Sequence, residues 1–204
     1  LEIRSSQLFV PESSHETVPV AFSFEAPDLA GETVVAYEKL TDNGIVLTEH
    51  ADISDDDQSI SFPTIATTAR CNESGSSEVP SVLGKATIID NVKYRNLIEG
   101  KTYTLQATPH LASISEDGTI TDAGALKTEE GTEICAQASF TAVAASGTAD
   151  VKIEIDPSKL KGETIVMFEE CYDGETLVAA HADINAEEQT LTVPSIMTLA
   201  RDGK

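Results

Sequence analysis

Residues 181–190 read HADINAEEQT, and residues 50–59 read HADISDDDQS. Both stretches open with His-Ala-Asp-Ile, run through acidic residues, and reach Gln eight positions after the His (His181 to Gln189, His50 to Gln58). Outward from this pair the match continues at a fixed offset of 131 residues (181 − 50 = 131), which lays residues 1–73 on 132–204 without a gap. GETVVAYE (31–38) falls on GETIVMFE (162–169), and PTIATTAR (63–70) falls on PSIMTLAR (194–201). About 22 of the 73 aligned pairs are identical, so the chain holds a true internal repeat. A period of this length is a whole domain rather than a turn of a solenoid. The expected division is residues 1–62 as the C-terminal part of one copy, 63–194 as a complete copy, and 195–204 as the start of the first strand of the next.

The segments within each copy read as strands. KATIIDNVKY (85–94), KTYTLQATPHL (101–111), ADVKIEI (149–155), ETIVMFEE (163–170), TLVAAHADI (176–184) and QTLTV (189–193) are short, rich in Val, Ile, Thr and Tyr, and partly alternating. Turn chemistry separates them, as in LIEGK, SEDGT, ASGT, DPSKLKG and YDGE. No window carries a helical period. Such a series predicts an all-β fold of antiparallel β-sandwich domains in tandem.

Composition narrows the function. The 204 residues carry a net charge of −22. With no basic stripe to displace counterions, neither nucleic acid nor an anionic membrane surface is expected as a partner. No apolar run approaches the roughly 20 residues of a membrane span, and LEIRSSQLFV (1–10) lacks the pattern of a signal peptide. Three Cys at irregular spacing, with no CxxC, make neither a disulfide framework nor a zinc site. SEDGTITDAG (115–124) lacks the spacing and the terminal Glu of a calcium loop. No metal or cofactor is expected.

Four polar positions are kept in both copies while their neighbours drift: Glu38/Glu169, His50/His181, Gln58/Gln189 and Thr67/Thr198. Asp52/Asp183 and Arg70/Arg201 are kept as well. These side chains share a chemistry. A Thr hydroxyl becomes a nucleophile when a base takes its proton, and a neutral His is the usual base. The Gln carboxamide carbon is an acyl centre, and its attack by Thr expels ammonia and leaves an ester. A nearby protonated carboxyl, Glu169 or an Asp, can polarise the carboxamide, provided burial raises its pKa. Thr67 aligns with Thr198, whereas Thr68 aligns with Leu199, so Thr67 is the candidate nucleophile. Asp183, two residues from His181 and on the same face of a regular strand, is one candidate for that assisting Asp.

Other function classes remain open at this level. An isopeptide-bonded, pilin-like stalk domain needs a Lys facing Asn or Asp, and no Lys is kept between the copies; Lys39 aligns with Glu170. A ligand-binding sandwich for sugars usually needs aromatic platforms, and aromatics are 5% with no Trp. A turnover enzyme is possible from a Thr-His-carboxylate set, but a donor Gln in the same chain makes single-turnover self-modification simpler.

GETIVMFEE, HADINAEEQT, IIDNVKY with LIEGKTYTL, and IATTA together resemble the Thr–Gln ester-bond domains, with their VaFE-type repeats, of Gram-positive cell-wall-anchored surface adhesins. The resemblance spans essentially the whole chain. It implies an immunoglobulin-like β-sandwich in which Thr67 on the first strand is esterified autocatalytically to Gln189 on the last. His181 would be the base, and Asp90 and Glu169 the assisting acid pair. Glu38, His50, Gln58 and Thr198 would be partial-repeat equivalents, Gln58 staying an unreacted carboxamide and Thr198 a free hydroxyl. The family further implies an extracellular, cell-wall-anchored stalk whose partners are neighbouring repeats, with the host ligand bound elsewhere on the parent protein.

Overall fold

The computed structural model describes residues 3–23 and 29–199; Arg201, and with it the counterpart of Arg70, lies outside the described residues. The chain divides into two compact units, Leu1–Phe62 and Pro63–Lys204. No α-helix occurs among the described residues.

In the first unit, β1 (Thr33–Val35) pairs with β4 (Ser59–Ser61), and β2 (Glu38–Asp42) pairs with β3 (Ile45–His50), both antiparallel. The β2–β3 turn is Asn43-Gly44, with φ of 46° and 82°. Two successive left-handed residues are what a tight hairpin turn matched to strand twist requires, and Asn-Gly is the dipeptide that supplies them at least cost.

The second unit is the sandwich. One sheet runs β10 (Gly147–Ile155), β6 (Ala86–Arg95), β5 (Thr64–Cys71). The other runs β12 (Thr176–His181), β11 (Thr164–Asp173), β7 (Thr102–Ile114), β8 (Ile120–Ala125), with β9 (Ala136–Thr141) also on β7 and β13 (Thr190–Thr192) also on β11. All these pairings are antiparallel. Alternation sets the interior: Ile65, Ala69 and Cys71 of β5, Ile88, Val92 and Tyr94 of β6, and Val151, Ile153 and Ile155 of β10 face Tyr103, Leu105, Ile165, Met167 and Leu191 in one apolar cluster. Cys71, Cys135 and Cys171 are all free thiols.

Two expected strands are shorter than their sequence patterns. TLVAAHADI stops being a strand at His181, because Asp183 caps a turn: its Oδ1 accepts from Asn185 N at 2.9 Å and its carbonyl accepts from Ala186 N at 3.0 Å. QTLTV begins as the end of a 3-10 turn, Glu187–Gln189, and becomes a strand only at Thr190.

Candidate functional site

Among the described residues the buried polar or charged side chains are Thr67, Asp90, Glu169 and Gln189, exposed by 4%, 1%, 0% and 0%. The first three take inward positions on otherwise apolar strand faces. Thr67 lies between Ile65 and Ala69 on β5, Asp90 between Ile88 and Val92 on β6, and Glu169 between Met167 and Cys171 on β11. Thr68, the neighbour of Thr67, points outward and is exposed. Gln189 is buried because the 3-10 turn tucks it under β5 rather than leaving it in a solvated loop.

The geometry brings Thr67, Gln189 and His181 together. Gln189 Nε2 donates to Thr67 Oγ1 at 2.6 Å and to the main-chain carbonyl of His181 at 3.2 Å. Thr67 Oγ1 lies 3.4 Å from His181 Nδ1, and the main-chain N–H of Thr67 donates to that same nitrogen at 3.3 Å. A backbone N–H can only donate, so Nδ1 is an acceptor and the ring proton sits on Nε2. Nδ1 is therefore free to receive the Thr67 hydroxyl proton. Strand register holds the His in place, since His181 is directly opposite Glu169 in the β11–β12 ladder.

The two carboxyls form a pair. Asp90 and Glu169 interact directly, and the Thr67 hydroxyl also lies against Asp90. None of the four carboxyl oxygens, nor Gln189 Oε1, accepts a well-formed hydrogen bond from a protein N–H, and all are buried; the Thr68 main-chain N–H lies toward Asp90. Two facing carboxyls can bond only if one keeps its proton. Burial supplies the main reason, raising both above their ordinary values; for Glu169 burial and then the neighbouring Asp90 charge together bring it to about 9. At neutral pH the pair retains a proton, with Glu169 the more strongly raised of the two.

Asp183 is not part of this cluster. It is exposed and engaged by Asn185, so Asp90 is the carboxyl that the fold places beside Thr67 and Glu169. In the first unit, Gln58 Nε2 donates to Glu38 Oε2 and His50 Nε2 lies 3.0 Å from Asp55 Oδ2. Thr198 is exposed and outside any strand. The buried polar set contains no Lys, which an isopeptide bond would need. No cluster of His, Cys, Asp and Glu able to hold a metal occurs among the described residues, and no helix there is long and apolar enough to cross a membrane. Side-chain patterns could not signal the two main-chain groups of the site, the Thr67 N–H and the His181 carbonyl.

No curated protein matches the sequence. Among solved structures, a bacterial adhesin from Mobiluncus mulieris containing intramolecular disulfide, isopeptide and ester bond cross-links is 16% identical, with a TM-score of 0.47. That match covers 64% of this chain and 56% of the adhesin, so the chain spans little more than half of its length. A second crystal form of the adhesin gives 16% identity and a TM-score of 0.48, over 65% of this chain and 57% of that one. An immunoglobulin-like protein from Pseudomonas aeruginosa is 14% identical over 65% of this chain and 97% of its own, with a TM-score of 0.27. The sequence profile described as "TQ: T-Q ester bond containing domain" matches residues 2–62 and again 63–193. Matched over both copies of its repeat, the chain belongs to the family of T-Q ester bond containing domains.

Proposed function

We propose that residues 63–193 close an ester between Thr67 Oγ1 and Gln189 Cδ, and that the domain serves as a covalently tied stalk unit of a cell-wall-anchored bacterial surface adhesin. The observation that carries this reading is the 2.6 Å approach of the Gln189 carboxamide to the Thr67 hydroxyl, inside a dry core and beside a His nitrogen free to accept a proton. His181 Nδ1 takes the hydroxyl proton as Oγ1 bonds to Cδ. The proton on Glu169 stabilises the charge developing at the carboxamide oxygen. The Cδ–Nε2 bond then breaks, the proton returns from His181 to the leaving nitrogen, and ammonia departs. The reaction turns over once, and burial keeps water from the product ester. The tie serves load: it joins a residue on the first strand of the sandwich to one 122 positions later, beside the last. The partners are neighbouring repeats of the same chain, and a host ligand is bound elsewhere on the parent protein.

Intact mass with peptide mapping tests the proposal. Loss of one ammonia lowers the mass by about 17 Da, and the Thr67 and Gln189 peptides should be recovered as one species. One bond per chain is expected, because the Gln58 carboxamide donates to Glu38 rather than to a hydroxyl. An unmodified mass for freshly folded protein overturns the proposal.

A further inference from the structure

The sheet that carries Thr67 and Asp90 has an outer face as well. Side chains alternate along each strand, so Arg70 of β5, Lys93 and Arg95 of β6, and Lys152 of β10 point away from the core, and all four are exposed. The register gathers them. Arg70 lies opposite Ile89, and Ile89 opposite Lys152, which makes one row across three strands. Lys93 stands between Ala66 and Thr148, and Arg95 lies opposite Thr64. The row between them is Thr68, Asn91 and Asp150. The chain shows no basic stripe because these cations come from three segments far apart in sequence.

In a chain of net charge −22 an exposed cation has carboxylates to choose from. Lys39, Lys85, Lys101, Lys127 and Lys159 each reach one. Among the described residues, no carboxylate lies within ion-pair distance of Arg70, Lys93, Arg95 or Lys152. The carboxylates on this face are otherwise engaged: Asp150 accepts from Asn91 Nδ2 at 2.7 Å, and Glu154 pairs with Lys85 at 2.7 Å. Glu73, at the end of the face, accepts from Cys71 Sγ at 3.2 Å and from Thr87 N at 3.1 Å. Arg70 is also kept between the copies, as Arg201, although it points away from the ester-forming residues. The ester chemistry gives no reason for keeping it.

We propose that this outer face, with Arg70, Lys93, Arg95 and Lys152 as its cations, binds a linear acidic polysaccharide. Arg70 and Lys152 stand two strands apart, roughly 10 Å between backbones, and Lys93 lies roughly 13 Å along β6 from their row. A single small anion cannot span such distances, whereas a chain with anions on successive sugars can. The Arg guanidinium groups present paired N–H donors to a sulfate or carboxylate. Thr64, Thr68, Asn91 and Thr148 supply hydroxyl and amide groups between the cations for sugar hydroxyls. The face has no aromatic ring on which a nucleic-acid base could stack. It also lacks the apolar centre of a protein interface, since Ile89 is only 8% exposed and the other apolar residue is Ala66. The acidic remainder of the chain repels a polyanion, so binding comes from several short-range contacts made together, within a Debye length of about 8 Å at physiological salt. This contact is separate from the ester and from a host ligand bound elsewhere on the parent protein.

Titration of the isotope-labelled 204-residue chain with a short heparin oligosaccharide, followed by amide chemical shifts, tests the proposal. Shifts should be confined to β5, β6 and β10, and affinity should fall as salt rises. Arg70→Gln combined with Lys152→Gln should weaken binding roughly tenfold. Its unfolding should match the parent, because both side chains are exposed. Lys127→Gln combined with Lys159→Gln removes the same charge elsewhere and should bind as the parent does. No shifts at low salt overturn the proposal. Equal weakening by the two double variants also overturns it, because net charge and not this face would then govern binding. An oligothymidylate of matched charge should bind more weakly than the oligosaccharide; equal or tighter binding would make this a nucleic-acid face. Self-association of the free chain, abolished by Arg70→Gln with Lys152→Gln, would assign the face to the acidic surface of a second copy and overturn the polysaccharide.

Discussion

The chemistry at Thr67 depends on one proton acceptor and one retained acid proton. His181→Ala removes the acceptor and leaves a half-buried site without a large cavity. The variant should fold, losing about 1 kcal/mol for the unpaired Thr67 N–H, and should keep its full mass with no loss of ammonia. Rapid cross-linking in that variant would show that another group takes the proton. The acid proton has a separate signature in the stability of a bond-free chain such as Thr67→Ala. Asp90 and Glu169 have raised values in the folded state, so folding holds protons that the unfolded chain releases. The sign follows: their contribution is fully present below the ordinary values of 3.8 and 4.5 and is lost as pH rises through the folded values, up to about 9 for Glu169. The melting temperature of Thr67→Ala should therefore fall between pH 5 and pH 9. Adding Glu169→Gln should remove most of that fall; an equal slope would mean that Glu169 is not the buried acid.

At the level of strands, Asp90 reaches Thr67 because β6 pairs with β5, and β10 covers the other edge of β6. Gly147 opens β10 opposite Tyr94. A Cβ there would lie 2.4 Å from the Tyr94 hydroxyl and 2.6 Å from its ring. The ring cannot move aside: Tyr94 is 3% exposed and packs on Phe140 at 5.2 Å between centroids. Gly147→Ala should thus cost roughly 1–3 kcal/mol as an overpacked core position, seen as a lower denaturant midpoint. The ester should still form, since Thr67, Gln189 and His181 lie on other elements. A midpoint equal to that of the parent would show that Tyr94 yields without cost.

For the whole sandwich, the proposed ester would do what a long-range disulfide does, in a chain where Cys71, Cys135 and Cys171 are free thiols. Joining residues 67 and 189 restricts nearly the entire unfolded domain. By analogy with long-loop cross-links, Thr67→Ala should lose roughly 2–5 kcal/mol relative to the cross-linked parent. Chemical unfolding of both proteins at one pH measures this, and equal stability would show that the tie contributes nothing at equilibrium.

Repetition and alternation were written in the chain. The offset of 131 residues exposed the repeat, and the strands and turns followed from local pattern. His181, Gln189, Glu169 and Thr67 stood out because each is kept while its neighbours change, and Thr68 fell away by alignment alone. What local pattern could not decide was whether Asp90 or Asp183 serves the site. Asp183 looked equal while TLVAAHADI was read as one strand, but the chain turns at Asp183 and the residue faces water. Asp90 belongs to a strand remote in sequence from Glu169 and meets it only when the two sheets close. Its raised pKa, and that of Glu169, come from desolvation by that packing, which no single segment contains.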